Sequence, residues 1–74
     1  MPHVNIKYFP KPLDEQQRAR LVTKITEAVR EALGVEEGVI SIALQPVASD
    51  AWDAEVYTPE IIGRKDLLAK LPDY

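Results

Sequence analysis

The chain has no cysteine, one histidine, one methionine, one tryptophan and three glycines in 74 residues. Without cysteine, no disulfide can staple the fold, no thiolate can act as nucleophile, and the redox compartment is unconstrained. With one histidine and no cysteine, a metal would have to be held by carboxylates, and no ligand motif is present. Three scattered glycines form no phosphate-cradling loop. Neither serine, Ser41 or Ser49, stands in a nucleophile-elbow context. No apolar run approaches the ~20 residues of a membrane span. The N-terminal residues lack the charged segment and apolar run of a signal peptide, so a cytoplasmic location is expected.

Lys and Arg number 9 against 12 Asp and Glu, for a net charge of −3. An acidic chain without a basic stripe is poorly suited to a phosphate backbone, so no nucleic-acid partner is expected. Apolar residues make up 46% of the chain, too many for a disordered polypeptide. A folded monomer of this mass would expose about 4,600 Å² against roughly 12,000 Å² for the extended chain. That allows one domain over residues 1–74 with a thin core, and no large enclosed cofactor cavity. Without disulfides, a chain this short gains stability most readily by oligomerising.

Breakers divide the chain into four parts. In Pro2–Phe9, Val4, Ile6 and Tyr8 alternate with His3, Asn5 and Lys7, the period of a strand, and Pro10 and Pro12 end it. The segment Asp14–Leu33 is predicted to be helical. Leu21, Val22, Ile25, Ala28, Val29, Ala32 and Leu33 form a stripe about 140° wide, suited to lying on a sheet. Asp14 with Gln17 reads as a capping box, and Gly34 as the left-handed C-terminal residue. Val39–Gln45 reads as a buried strand between Gly38 and Pro46. Strand, helix and strand with short joins predict a βαβ unit with parallel strands, an α/β class fold. Beyond Pro46, Trp52–Tyr57 is expected as a short strand, Thr58–Glu60 as a helix start with proline in its first turn, and Asp66–Lys70 as a short helix. A two-stranded unit leaves an apolar sheet face uncovered, and a second copy is expected to cover it.

One chemical candidate stands out. When the second residue is small, methionine aminopeptidases remove Met1, which would leave Pro2 with a free secondary amine. An unperturbed α-amino group titrates near ~7.7–8.0, and burial or nearby cations lower that value. A neutral amine fixed at the head of a strand is a well-placed general base.

The chain resembles the 4-oxalocrotonate tautomerase family, short enzymes with an amino-terminal proline. The resemblance rests on Pro2 heading strand one, the Asp14-Glu15-Gln16 helix start and the apolar second strand. It is closest to the bacterial PptA-type dimeric subgroup, in HVNIKYFP, LDEQQ, SIALQ, WDAE and the closing Pro72-Asp73-Tyr74, and it spans nearly the whole chain. It implies a tautomerase fold that oligomerises through its sheet, and keto–enol isomerisation of a 2-hydroxy-alkenoate with Pro2 as catalytic base and no cofactor. It also implies a homodimer, with a hexamer as the alternative.

Two family arginines are missing, since Lys11 and Pro12 follow strand one and Ser41 stands in strand two. A dicarboxylate is therefore disfavoured, and a mono-acid with an apolar tail, such as phenylenolpyruvate, is the expected substrate. Lys11 is the candidate carboxylate-binding residue and Trp52 the candidate apolar wall. Each has a plainer alternative, Lys11 as a solvated loop residue and Trp52 as packing. His3, expected on the sheet face opposite Pro2, reads as a structural or surface residue. Ser41 reads as hydrogen-bonded packing in a buried strand, and Arg64 and Lys65 as a solvated pair or a reach into a neighbouring site. Two other functions stay open at this level: a non-enzymatic interaction module, and a hydratase or dehalogenase relative using a protonated proline.

Overall fold

A computed structural model describes residues Met1–Tyr74. Two parallel strands, β1 (His3–Tyr8) and β2 (Ser41–Pro46), flank helix α1 (Glu15–Leu33) in sequence and pair in register from His3↔Ser41 to Tyr8↔Pro46. The βαβ unit predicted from alternation and capping is therefore present.

The helix begins and ends where its caps dictate. The Asp14 side chain accepts from the Gln17 amide at 2.7 Å, and the Gln17 side chain accepts from the Asp14 amide at 3.0 Å. Two otherwise orphaned donors are thereby satisfied. Gly34 adopts φ 63°, ψ 41° and donates its amide to the Arg30 carbonyl. Asp14→Ala removes one half of the box and is expected to destabilise the protein by about 1 kcal/mol. Urea unfolding would register this as a lowered midpoint with an unchanged slope.

The second strand starts two residues later than expected. Val39 and Ile40 donate back to the carbonyls of Glu36 and Glu37 in a single 3₁₀ turn, Glu37–Val39, so they are not free to enter the ladder. Nor is β2 buried. Ile42, Ala43 and Leu44 are half-covered, while Ser41, Gln45 and Pro46 are exposed. The sheet face away from the helix is polar rather than apolar, carrying His3, Asn5 and Lys7 from β1 beside Ser41, Ala43 and Gln45 from β2. Asn5 Nδ2 donates to Gln45 Oε1 at 3.2 Å across it.

The C-terminal third departs most from expectation. After a turn at Ser49–Ala51, residues Asp53–Ile62 form a π-helix where a strand over Trp52–Tyr57 was expected. In Trp-Asp-Ala-Glu-Val-Tyr the apolar positions fit both periods, and Trp52 and Val56 lie one helical turn apart. Pro59 lies inside this element, not at its start. In an α-helix its ring would strike the carbonyl four residues back, and the wider π turn accommodates it. A 3₁₀ turn at Lys65–Leu67 replaces the expected Asp66–Lys70 helix.

Gly63 closes the π-helix by donating its amide to the Thr58 carbonyl at 2.9 Å. A Cβ on Gly63 would lie 2.7 Å from the Pro59 carbonyl oxygen and 3.1 Å from that of Thr58. Because both neighbours are backbone, Gly63→Ala forces the turn to shift. It is expected to cost about 1–3 kcal/mol. The corresponding fall in Tm would be several degrees or more, since about 1 kcal/mol moves Tm by roughly 4–8 °C in a domain this small.

A single subunit is poorly enclosed. Only Val47 and Val56 are buried, while Leu33, Ile62, Leu67, Leu71 and Tyr74 are each more than half exposed. Ala28, Ala32 and Leu33, which the helical stripe assigned to the sheet side, are exposed, and the covered face of α1 runs through Leu21, Val22, Ile25 and Val29. The chain exposes 5,962 Å², roughly 1,400 Å² above the ~4,600 Å² expected of a compact monomer. Its radius of gyration is 13.9 Å against about 11.3 Å for a compact domain of this length.

Candidate active site

Pro2 lies immediately before β1 and is half-buried. Its carbonyl accepts from the Ser41 amide at 3.2 Å, a bond that continues the parallel ladder by one step. Its nitrogen precedes that bond and so sits off the end of the sheet. Met1 is 97% exposed, so removing it would disturb almost no packing.

At the other end of β1, Val47 donates its amide to the Tyr8 carbonyl at 2.8 Å, and the chain then enters the turn at Ser49–Ala51. This brings Trp52 edge-on to Phe9, with ring centroids 5.0 Å apart and planes at 87°. Tyr57 and Tyr74 pack nearby at 5.8 Å. Phe9, Trp52 and Tyr74 line an open hollow of about 660 Å³, with Tyr8, Lys7, Ser49 and Asp53 at its walls. The volume lies within the range of small-molecule sites. Lys7 forms a part-buried ion pair with Glu60 of the π-helix, so its charge is already partnered.

Lys11 is exposed and edges a smaller apolar hollow of about 200 Å³, formed by Ile6, Tyr8, Leu13, Leu21 and Leu44. Tyr8 lines both hollows, so Lys11 and Trp52 flank the same end of the sheet. Pro2 is at the opposite end. The six residues of β1 separate them by about 20 Å at ~3.3 Å per residue. Within one subunit the sequence-identified base and its two candidate binding residues are therefore not assembled.

Arg64 and Lys65 are exposed at the turn after the π-helix. No cluster of three or more His, Cys, Asp or Glu is placed to hold a metal ion. No helix is long and apolar enough to cross a membrane.

Sequence reasoning passed over one pair. His3 Nδ1 and Ser41 Oγ are 2.6 Å apart on the exposed polar face, at the end of the sheet where Pro2 joins β1. Ser41 is exposed, not buried as expected, because the helix covers only the opposite face. The residues are far apart in sequence, and only the strand register brings them together. The alternation of Ser41, Ala43 and Gln45 against Ile42 and Leu44 was the available signal.

A protein-family profile described as "Tautomerase enzyme" matches residues 2–58. The chain is 42% identical over 74 residues to "Tautomerase PptA" of Escherichia coli O139:H28 (strain E24377A / ETEC), covering all of this chain and 97% of that protein. The protein of the same name from Escherichia coli (strain K12 / DH10B) is also 42% identical over 74 residues, with 95% of its length covered.

Proposed function

The chain belongs to the tautomerase family of enzymes, and on that premise we propose that it ketonises aryl-substituted 2-hydroxy-alkenoates such as phenylenolpyruvate, with the Pro2 amine as general base. The observation that carries this reading is the position of Pro2. Its carbonyl is tied to β2 while its nitrogen lies beyond the ladder, behind only an exposed Met1. Once Met1 is removed, that nitrogen is a secondary amine with a lone pair, fixed by the pyrrolidine ring and the strand. The neutral amine takes the proton of the substrate's 2-hydroxyl as the C2–O bond becomes a carbonyl. It then returns a proton to C3, where the enol's electron pair is localised. Both positions lie on one face of a planar conjugated acid, so one base serves both transfers.

The site is completed by a second copy. Pro2 and the Trp52 hollow are about 20 Å apart within a subunit, further than a substrate of this size spans. The roughly 1,400 Å² of surplus surface is of the order that a stable dimer buries on each subunit. A homodimer in which each Pro2 meets its partner's aromatic hollow explains both. In that arrangement Trp52 forms the wall for the aryl group, and Lys11, exposed on its loop, draws the acid in electrostatically.

The test is the ketonisation rate of phenylenolpyruvate by wild type and Pro2→Ala, with intact mass establishing Met1 loss in both. A wild-type rate well above background that collapses in the variant supports the reading. Equal rates overturn it. Light scattering that finds a monomer at micromolar concentration overturns the dimer.

A further inference from the structure

We propose that His3, oriented by Ser41, is the hydrogen-bond donor that holds the substrate's carboxylate beside Pro2. The inference rests on Pro2 being the base, and it names the group that answers the missing arginines.

Ser41 contacts the catalytic end of β1 twice. Its amide donates to the Pro2 carbonyl at 3.2 Å, and its hydroxyl lies 2.6 Å from His3 Nδ1. One residue of β2 thus fixes both Pro2 and the ring that follows it. The hydroxyl donates to Nδ1 of a neutral imidazole, which places the ring proton on Nε2, and it accepts from Nδ1–H of a cationic one. In these two states Nε2 carries a proton, and a bound carboxylate selects them over the neutral tautomer in which Nδ1–H donates to Oγ. No other protein group bonds to the ring, and His3 is exposed, so the Nε2 donor is free for a ligand.

Other candidates for this role are further away or already used. Lys7 lies on the same face but is paired with Glu60. Lys11 lies at the other end of its own strand, and the partner's Lys11 edges the smaller hollow rather than the aromatic one that Pro2 meets. His3 follows Pro2 in sequence, and the Pro2 nitrogen precedes the last bond of the ladder, at the strand terminus that the His3–Ser41 pair edges. An enol acid whose hydroxyl reaches the amine has its carboxylate one bond further on, within reach of a ring on the neighbouring residue. His3 is then a substrate-binding residue and Ser41 a positioning residue for it.

Because His3 is the only histidine, its ring resonances are unambiguous in ¹⁵N-labelled, Met1-processed protein. The probe is cinnamate, an unreactive aryl acid, with cinnamyl alcohol as the control lacking a carboxylate. Cinnamate is expected to shift His3 Nε2 and Hε1 saturably, and cinnamyl alcohol is not. In ketonisation assays His3→Ala is expected to raise KM about tenfold with kcat within about threefold, the loss of one hydrogen bond made equally in ground and transition states. Ser41→Ala is expected to raise KM about threefold and Ser41→Thr, which keeps the hydroxyl, to restore it. The proposal is overturned if cinnamate inhibits ketonisation while the His3 resonances stay still, or if His3→Ala leaves KM unchanged. Failure of the Pro2 reading is seen separately, as wild-type rates in Pro2→Ala, and a cinnamate-dependent His3 shift would still support the carboxylate site.

Discussion

Pro2→Ala is expected to lower kcat/KM for phenylenolpyruvate by about 10²-fold or more, the range that a positioned general base contributes. The variant still ends in an amine once Met1 is removed, so the loss measures placement and basicity rather than the mere presence of nitrogen. The pyrrolidine ring closes the nitrogen back onto the side chain, so its lone pair keeps one direction relative to the Cα that the Ser41–Pro2 bond anchors. A primary amine there rotates freely about its bond to Cα and its lone pair is no longer aimed. Folding should be untouched, because Pro2 lies outside β1 and donates no ladder bond. Unchanged circular dichroism and Tm beside a collapsed rate are therefore the expected pair of results. A fall in both would locate the effect in the fold instead. Titration of the Pro2 nitrogen adds direction: a pKa below ~7 suits a base, and one above ~8 suits the acid role of hydratase-like relatives.

Mixing two inactive variants is expected to restore activity. In a dimer whose Pro2 faces its partner's Trp52, Pro2→Ala and Trp52→Ala subunits combine into heterodimers with one site lacking both side chains and one site intact. Random reassortment of equal amounts makes half the dimers mixed, so about a quarter of the wild-type activity should return. If base and aromatic wall came from the same chain, every site in every mixed dimer would lack one of them and nothing would return. The distance along β1 favours the first outcome. Trp52→Ala alone also removes the edge-on contact with Phe9, so its own Tm should be measured to keep a folding defect from passing as a binding one.

How much of this was legible in the sequence varies by element. The helix could be read to within a residue, because its ends are set by local chemistry at Asp14, Gln17 and Gly34. The first strand was legible through strict alternation. The second was recognised, but its Ser41, Ala43 and Gln45 positions were read as part of a buried run, and the polar sheet face was missed. That face is visible only once the two strands are in register, which no local pattern specifies. The Trp52–Ile62 segment was misread because a short apolar run fits both periods and because a proline inside a π-helix has no sequence signature. Pro2 was legible as a candidate base from its residue type, and its place at the head of a strand is as read. The separation of Pro2 from Trp52 and Lys11 was not, since it depends on where Val47 turns the chain. His3 was visible only as a lone histidine, and its bond to Ser41 depends on the strand register.

The most direct test of Pro2 as the base leaves the sequence unaltered. The same chain would be prepared with Met1 retained, by inhibiting aminopeptidase, and with Met1 removed. The two forms differ by Met1 alone, and its presence turns the Pro2 nitrogen from an amine into an amide. Met1 is almost fully exposed, so the fold should be the same in both. A Pro2-based mechanism predicts that phenylenolpyruvate ketonisation tracks the processed fraction and is at background in the retained form. Equal rates in the two forms would contradict it, because an amide nitrogen has no basic lone pair with which to take the proton.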